Sequence, residues 1–218
     1  RGYETYSPDE TDFRIYVDKM VGLSQLDARS REVEELKLLK AATPVKNKSK
    51  KFDRMFDLKP IVDFEAVFIP DEPRALGQIL PTFAYRDVDN ILFLGINTWN
   101  SQELFARSGE FAKGAVFVDG FFAGSENPTC KKFIEEYRLT FNAEPTLVEA
   151  LAYDAGHILA SLMKSGDVRS RADLRDRILG LRDFPGVAGK ISYQAGRLTK
   201  RLSLLTVKNG KIEEIAQH

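Results

Sequence analysis

Two short stretches carry the side chains best suited to hold a polar ligand. Asp71-Glu72 follows the apolar run Phe64–Ile69, and Asn97-Thr98-Trp99 follows the apolar run Ile91–Leu94. A carboxylate can receive an ammonium or hydroxyl group, Asn and Thr can hydrogen-bond a polar ligand, and an indole can supply an aromatic wall. If each apolar run is a strand of a parallel sheet, both loops lie past carboxyl ends of strands. Open α/β sheets bind ligands there, so the two loops would face one crevice. The alternative is structural. Asp71 and Glu72 would then charge the first turn of a helix, where the dipole favours acids, and Trp99 would be a packing residue.

Other chemistry is sparse. The sequence has one cysteine, Cys130, and two histidines, His157 and His218, which leaves no internal disulfide, Cys-rich site or His-built metal cluster. Cys130 falls in the first turn of an expected helix, where a thiol pKa can drop, but an inert thiol is the favoured reading. His157 falls within an apolar helix and reads as a hydrogen-bonded core or interface residue. Glu135-Glu136 reads as a solvated helix face. Gly186-Val187-Ala188-Gly189-Lys190-Ile191-Ser192 has two residues between its glycines and Ile after Lys, so it reads as a turn entering a strand rather than a phosphate loop. HExxH, GxSxG and CxxC are absent, and no nucleophile–base pair stands out. The expectation is a non-enzymatic protein without a cofactor.

The elements that must position these residues follow from periodicity. Phe13, Tyr16, Val17, Met20 and Val21 recur on one helical face, with Thr11 or Asp12 available as a cap. Gly2–Tyr6 reads as a short strand and Arg29–Lys40 as a charged, exposed helix. Residues 41–59 carry Lys46, Lys48, Lys50 and Lys51 and read as a loop, with a basic contact patch as the minority alternative. Strands at 64–69, 91–94 and 114–118 alternate with helices at 74–83 and 101–107, the pattern of βαβ units in a parallel sheet covered on both faces. Helices follow from Pro128 through Phe141, from Pro145 to about Lys164 with a wide apolar arc that predicts burial, and over 171–181. Lys190–Tyr193 and Leu202–Lys208 read as strands, and Asn209-Gly210 is a hairpin turn into Lys211–Ile215.

Composition bounds the function. The chain has 218 residues, 43% hydrophobic and 29% charged, with 32 basic against 32 acidic side chains. That mix suits a globular core, and zero net charge disfavours a nucleic-acid partner. No apolar stretch reaches the ~20 residues of a membrane span.

Tyr6-Ser7-Pro8-Asp9-Glu10-Thr11-Asp12-Phe13, Asp63–Asp71, Leu94–Trp99, Gly114–Phe121 and Pro145–Ala155, in that order, resemble the second lobe of type I periplasmic binding proteins, the Leu/Ile/Val-binding receptor superfamily. The wording at Val62–Pro73 and Gly95–Ser101 is most similar to the branch of penicillin-binding-protein activator lipoproteins. The resemblance implies a Rossmann-like α/β fold, one lobe plus part of the other, hinged for closure. It implies residues 1–119 as lobe two, 120–189 as a helical segment completing lobe one, and 190–218 as returning strands and hairpin, with the first half of lobe one missing. It places the ligand contacts on the loops holding Asp71, Glu72, Asn97, Thr98 and Trp99. Amino-acid receptors of this family put an aromatic residue in the first loop and an acid in the second. Here the first has Pro70-Asp71-Glu72 and the second Asn97-Thr98-Trp99. The implied role is an envelope or periplasmic solute receptor for an amino acid or peptide-like ligand, of an ABC uptake type. The alternative is a lipoprotein domain that contacts a peptidoglycan synthase. A homodimer through exposed apolar helix faces is a further expectation.

Overall fold

A computed structural model describes residues 2–43, 55–164, 166 and 168–215. The lysine-rich run Lys46–Lys51 and His218 lie outside the described residues. The chain divides into two compact units, Arg1–Phe93 with Glu103–Ala112 and Leu94–Gln102 with Lys113–His218.

In the first unit α1 spans Arg14–Met20 and α2 spans Ser30–Ala42. Phe13, Val17 and Val21 form the buried stripe of α1. The N-cap position is Phe13, with no side-chain cap bond, so neither Thr11 nor Asp12 caps the helix as expected; Asp12, one residue earlier, accepts the Arg14 N–H on Oδ1 at 3.1 Å. Gly2–Tyr6 is not a strand. α2 buries none of its residues, consistent with its charge. Strand β1 is Ala66–Phe68. Val67 and Ile69 are buried while Phe68 is 59% exposed, so β1 is covered on one face and not on both as expected. Helix α3, Pro73–Tyr85, begins with Pro at its first turn, where no N–H is needed. Its apolar face buries Leu76, Ile79, Leu80 and Phe83. Arg86, at its end, reaches Asp18 of α1 with Nη2···Oδ2 and Nε···Oδ1 both at 2.6 Å. Helix α4 spans Gln102–Ser108, and a 3₁₀ turn covers Gly109–Ala112.

Strand β2, Leu92–Gly95, begins in the first unit, where the Leu92 N–H donates to Glu65 O at 2.8 Å, and ends in the second. There it pairs in parallel with β3, Val116–Asp119, in the register Leu94↔Val116. β3 pairs antiparallel with β7, Ser203–Lys208, and β7 with β8, Lys211–Glu214. The sheet is therefore mixed. The parallel pair keeps the expected βαβ logic, while β7 and β8 join as a hairpin. Asn209 (φ 51°) and Gly210 (φ 70°) form its turn with both residues in the left-handed region, the conformation that favours Asn-Gly.

Between β3 and β7 come α5 (Pro128–Phe141), α6 (Leu147–Lys164) and α7 (Arg171–Leu179). A separate antiparallel sheet follows, made of β4 (Phe184–Gly186), β5 (Gly189–Gln194) and β6 (Arg197–Lys200). The return to the main sheet thus starts at Ser203, after the Lys190 region has paired within its own sheet. Phe121, Cys130, Phe133, Ile134, Ala150, Val187 and Ala188 form one core cluster, and Ile158, Leu181 and Ile191 another. The burial expected for the wide apolar arc of α6 is not observed. Only Ala150, Asp154 and Ile158 are buried, because the second unit covers one side of the helix alone.

Candidate functional site

The loop after β1 is closed by local hydrogen bonds. Asp71 N–H donates back to Ile69 O at 2.9 Å, and Asp71 Oδ1 accepts the Glu72 N–H at 2.7 Å. Asp71 Oδ2 accepts the Tyr6 hydroxyl, also at 2.7 Å. Tyr6 is held edge-on against Phe13 at 4.9 Å and Tyr16 at 5.4 Å between ring centres. Burial, the Asp71 hydrogen bond and the Asp71 charge together push the Tyr6 pKa well above its ordinary value. The phenol therefore stays a proton donor to Asp71 throughout the physiological range. Glu72 is exposed and stands at the N-cap position of α3 with no side-chain cap bond, while its carbonyl accepts from Ala75 and Leu76.

The loop after β2 is a single 3₁₀ turn, Asn97–Trp99, following an extended Ile96. Asn97 is exposed and Thr98 half-buried. Trp99 is 0% exposed. Its ring lies over Gly95, where an added Cβ would sit 2.3 Å from Cδ2 and Cε2, and it tilts against Phe117 at 6.0 Å. In this geometry the indole is taken up by packing. It fixes the turn that presents Asn97 and Thr98. The next residue ties this turn to the end of β3, since Asn100 Nδ2 donates to Asp119 Oδ2 at 2.7 Å and to Phe121 O at 3.3 Å. The buried Asp119 carboxylate also accepts the Gly120 and Phe121 N–H groups.

Asp71 and Glu72 belong to the first unit, and Asn97, Thr98 and Trp99 to the second. A groove of about 600 Å³ in the first unit is lined by Arg14, Pro81, Thr82, Ala84, Tyr85 and Phe111, none of them a residue singled out from sequence.

The sequence reading missed a charged cluster in the second unit. Asp154, 1% exposed, accepts the Val187 N–H at 2.7 Å and the Ala188 N–H at 3.1 Å. Lys200 Nζ donates to Gly120 O. Burial lowers the Lys200 pKa, and the nearby Asp154 and Asp119 charges oppose that shift. A signal was present, since Asp154 interrupts the inward series Ala150, Asp154, Ile158. A carboxylate at helical core spacing needs donors.

One expectation is corrected, and the inert reading of Cys130 is supported. His157 is exposed rather than in the core, with its ring against Tyr153 at 5.8 Å and Phe184 at 5.3 Å. The Cys130 thiol is buried, and burial pushes its pKa up to about 11 despite its place in a first helical turn. Desolvation of the thiolate outweighs the helix terminus. Among the described residues no group of His, Cys, Asp or Glu side chains could hold a metal ion, and no helix is long and apolar enough to cross a membrane.

The model of the family described as periplasmic binding protein matches residues 60–211. Three solved structures share the fold. One, from Rhodospirillum rubrum and described as a branched-chain amino acid ABC transporter, aligns with TM-score 0.65 and 22% identity over 79% of this chain and 50% of that one. A leucine-binding protein of Thermotoga maritima aligns with TM-score 0.51 and 24% identity over 76% of this chain and 46% of its own. An ABC transporter substrate-binding protein from Desulfitobacterium hafniense, in complex with leucine, aligns with TM-score 0.51 and 20% identity over 83% and 48%. The chain spans about half the length of each. No curated protein matches it. The comparisons do not single out the activator-lipoprotein branch.

Proposed function

From the premise that this chain belongs to the periplasmic binding protein family, we propose that it is a ligand-contacting part of an extracytoplasmic solute receptor. The ligand is a small polar molecule of the amino-acid or peptide class, delivered to an ABC-type uptake system. The observation that carries this reading is the family match over residues 60–211, which includes β1, β2, β3 and both candidate loops. The role is binding without catalysis, in the periplasm, and no cofactor enters it.

The proposed residue roles follow from local chemistry. Asp71 and Glu72 offer negative charge to a ligand ammonium. Tyr6, hydrogen-bonded to Asp71, brings to that loop the aromatic ring its own sequence lacks. Asn97, exposed on its turn, and Thr98 beside it offer neutral hydrogen bonds. Trp99 acts from beneath by holding the turn.

Calorimetric titration with leucine, isoleucine, valine, a dipeptide and a sugar tests the proposal. Heat is expected with an amino acid or the peptide. Asp71→Asn and Asn97→Ala should each weaken binding by about tenfold, near 1.4 kcal/mol. Unchanged affinity in both variants would remove these loops from the site. Absence of heat across the panel would remove the receptor role.

A further inference from the structure

The turn Asn97–Trp99 is held at two points. Its own backbone closes it, with the Trp99 N–H donating to Ile96 O and the Asn100 N–H to Asn97 O, both at 3.0 Å. One anchor is the Trp99 ring, packed on Gly95 and Phe117. A closed turn pinned at one ring would still pivot about it. The second anchor is the Asn100 side chain, whose Nδ2 donates to Asp119 Oδ2 at 2.7 Å and to Phe121 O at 3.3 Å. Those two acceptors lie on either side of a crossing. β3 ends at Asp119, which pairs with Ser203 at the start of β7, and the chain between them makes α5–α7 and the sheet β4–β6. Phe121 already belongs to the core of that intervening body. Gly120, between the two, is tightly enclosed. An added Cβ would sit 2.9 Å from both Leu147 Cδ1 and Lys200 Nζ, and Lys200 Nζ donates to Gly120 O.

We propose that Asn100 and Asp119 are positioning residues of the candidate site: their hydrogen bond sets the turn that presents Asn97 and Thr98, and ties it to the crossing at Gly120. The consequence for affinity rests on the ligand reading above, and the consequence for the turn does not. Charge gives the pair its strength. Asp119 is 8% exposed and accepts N–H groups from Asn100, Gly120 and Phe121. An amide that donates to a buried carboxylate makes a stronger bond than a neutral pair. Lys200 is the cation beside this crossing, and the Asp119 and Asp154 charges both act to keep it protonated against its burial.

Asn100→Asp puts two carboxylates where the 2.7 Å bond was. They share one proton in acid and repel once it is lost. Trp99 is the single tryptophan, so acrylamide quenching of its fluorescence reads the turn directly and without ligand. In the Asn100→Asp variant Trp99 should be protected in acid and become accessible through a transition between about pH 5 and 8, with leucine affinity falling at least about tenfold across it. The native chain should show no such transition. Combining Asn100→Asp with Asp119→Asn lets the new amide at 119 donate to the new carboxylate at 100, and should restore native quenching and affinity at every pH. That restoration supports the inference even where Asn100→Asp alone does not fold at neutral pH. Native-like quenching of Asn100→Asp throughout would overturn it, as would an exchanged pair as accessible as the single variant. So would a change confined to the urea midpoint, which a merely structural bond would give, or a turn that moves with leucine affinity unchanged. Absence of leucine heat with the native chain counts instead against the receptor reading, while quenching still decides what sets the turn.

Discussion

The tightest steric demand in the candidate loops is at Gly95, and it makes Gly95→Ala the most informative substitution. The new Cβ would lie 2.3 Å from Cδ2 and Cε2 of Trp99 and 2.8 Å from Cγ, where ordinary contact is 3.4–4 Å. The deficit exceeds an ångström. The ring cannot swing away, because it is fully buried and packed on Phe117. Overpacking of a filled core costs about 1–3 kcal/mol, and this one belongs near the top of that range. Trp99→Ala alone should cost about 3–5 kcal/mol through the cavity it leaves. In the double variant the Cβ enters that cavity, so its stability should fall within about 1 kcal/mol of Trp99→Ala, a coupling of about 2–3 kcal/mol. Urea denaturation followed by far-UV circular dichroism measures all three, since the chain has a single tryptophan and fluorescence fails in two of the variants. Gly156→Ala is the control. Nothing lies within 4 Å of a Cβ there, and the position is mid-helix, so a gain of about 0.5–1 kcal/mol is expected. Additive losses at Gly95 and Trp99 would refute the packing account and return the indole to the surface as a possible ligand wall.

Three further outcomes are expected. Asp154→Ala leaves two buried N–H groups without an acceptor and should cost about 3 kcal/mol in chemical denaturation, with Asp154→Asn less damaging because its side-chain oxygen still accepts. Asp12 pairs with Arg14, whose side-chain hydrogen bond is the largest cause of a carboxyl pKa of about 2, down from 3.8. A depressed carboxyl pKa contributes stability above the unfolded value and loses it as pH falls toward 2, so carbon-detected NMR titration should place this midpoint near 2, and a midpoint near 3.8 would contradict the pairing. The Cys130 thiol should react with a disulfide reagent at pH 8 only once the chain is unfolded. Its pKa is raised from 9.0 to about 11, so the unfolded thiol ionises first and the native state loses stability as pH rises from about 9 to 11.

The amino-acid order by itself determined the elements around the candidate loops. Period-two and period-3.6 apolar spacing placed β1, α3, β2, α4, β3, α5 and the Asn209-Gly210 hairpin within a few residues, because those signals reside in neighbours along the chain. It also carried the family resemblance, which the match over residues 60–211 supports. The spacing could not tell which apolar positions are covered. The arc of α6 was expected inside and stands largely exposed, and β1 shows Phe68 to solvent. Burial depends on what arrives from distant sequence, and local spacing holds no record of it. For the same reason only the tertiary structure decided that Trp99 lies on Gly95, that Tyr6 reaches Asp71 across 65 residues, and that Asp154 finds its donors at Val187 and Ala188. The last two are contacts between segments far apart in sequence, and the first, only four residues apart, is held by the packing of the Trp99 ring on Phe117. Their energies are steric or electrostatic at a few ångströms, which composition and periodicity cannot encode.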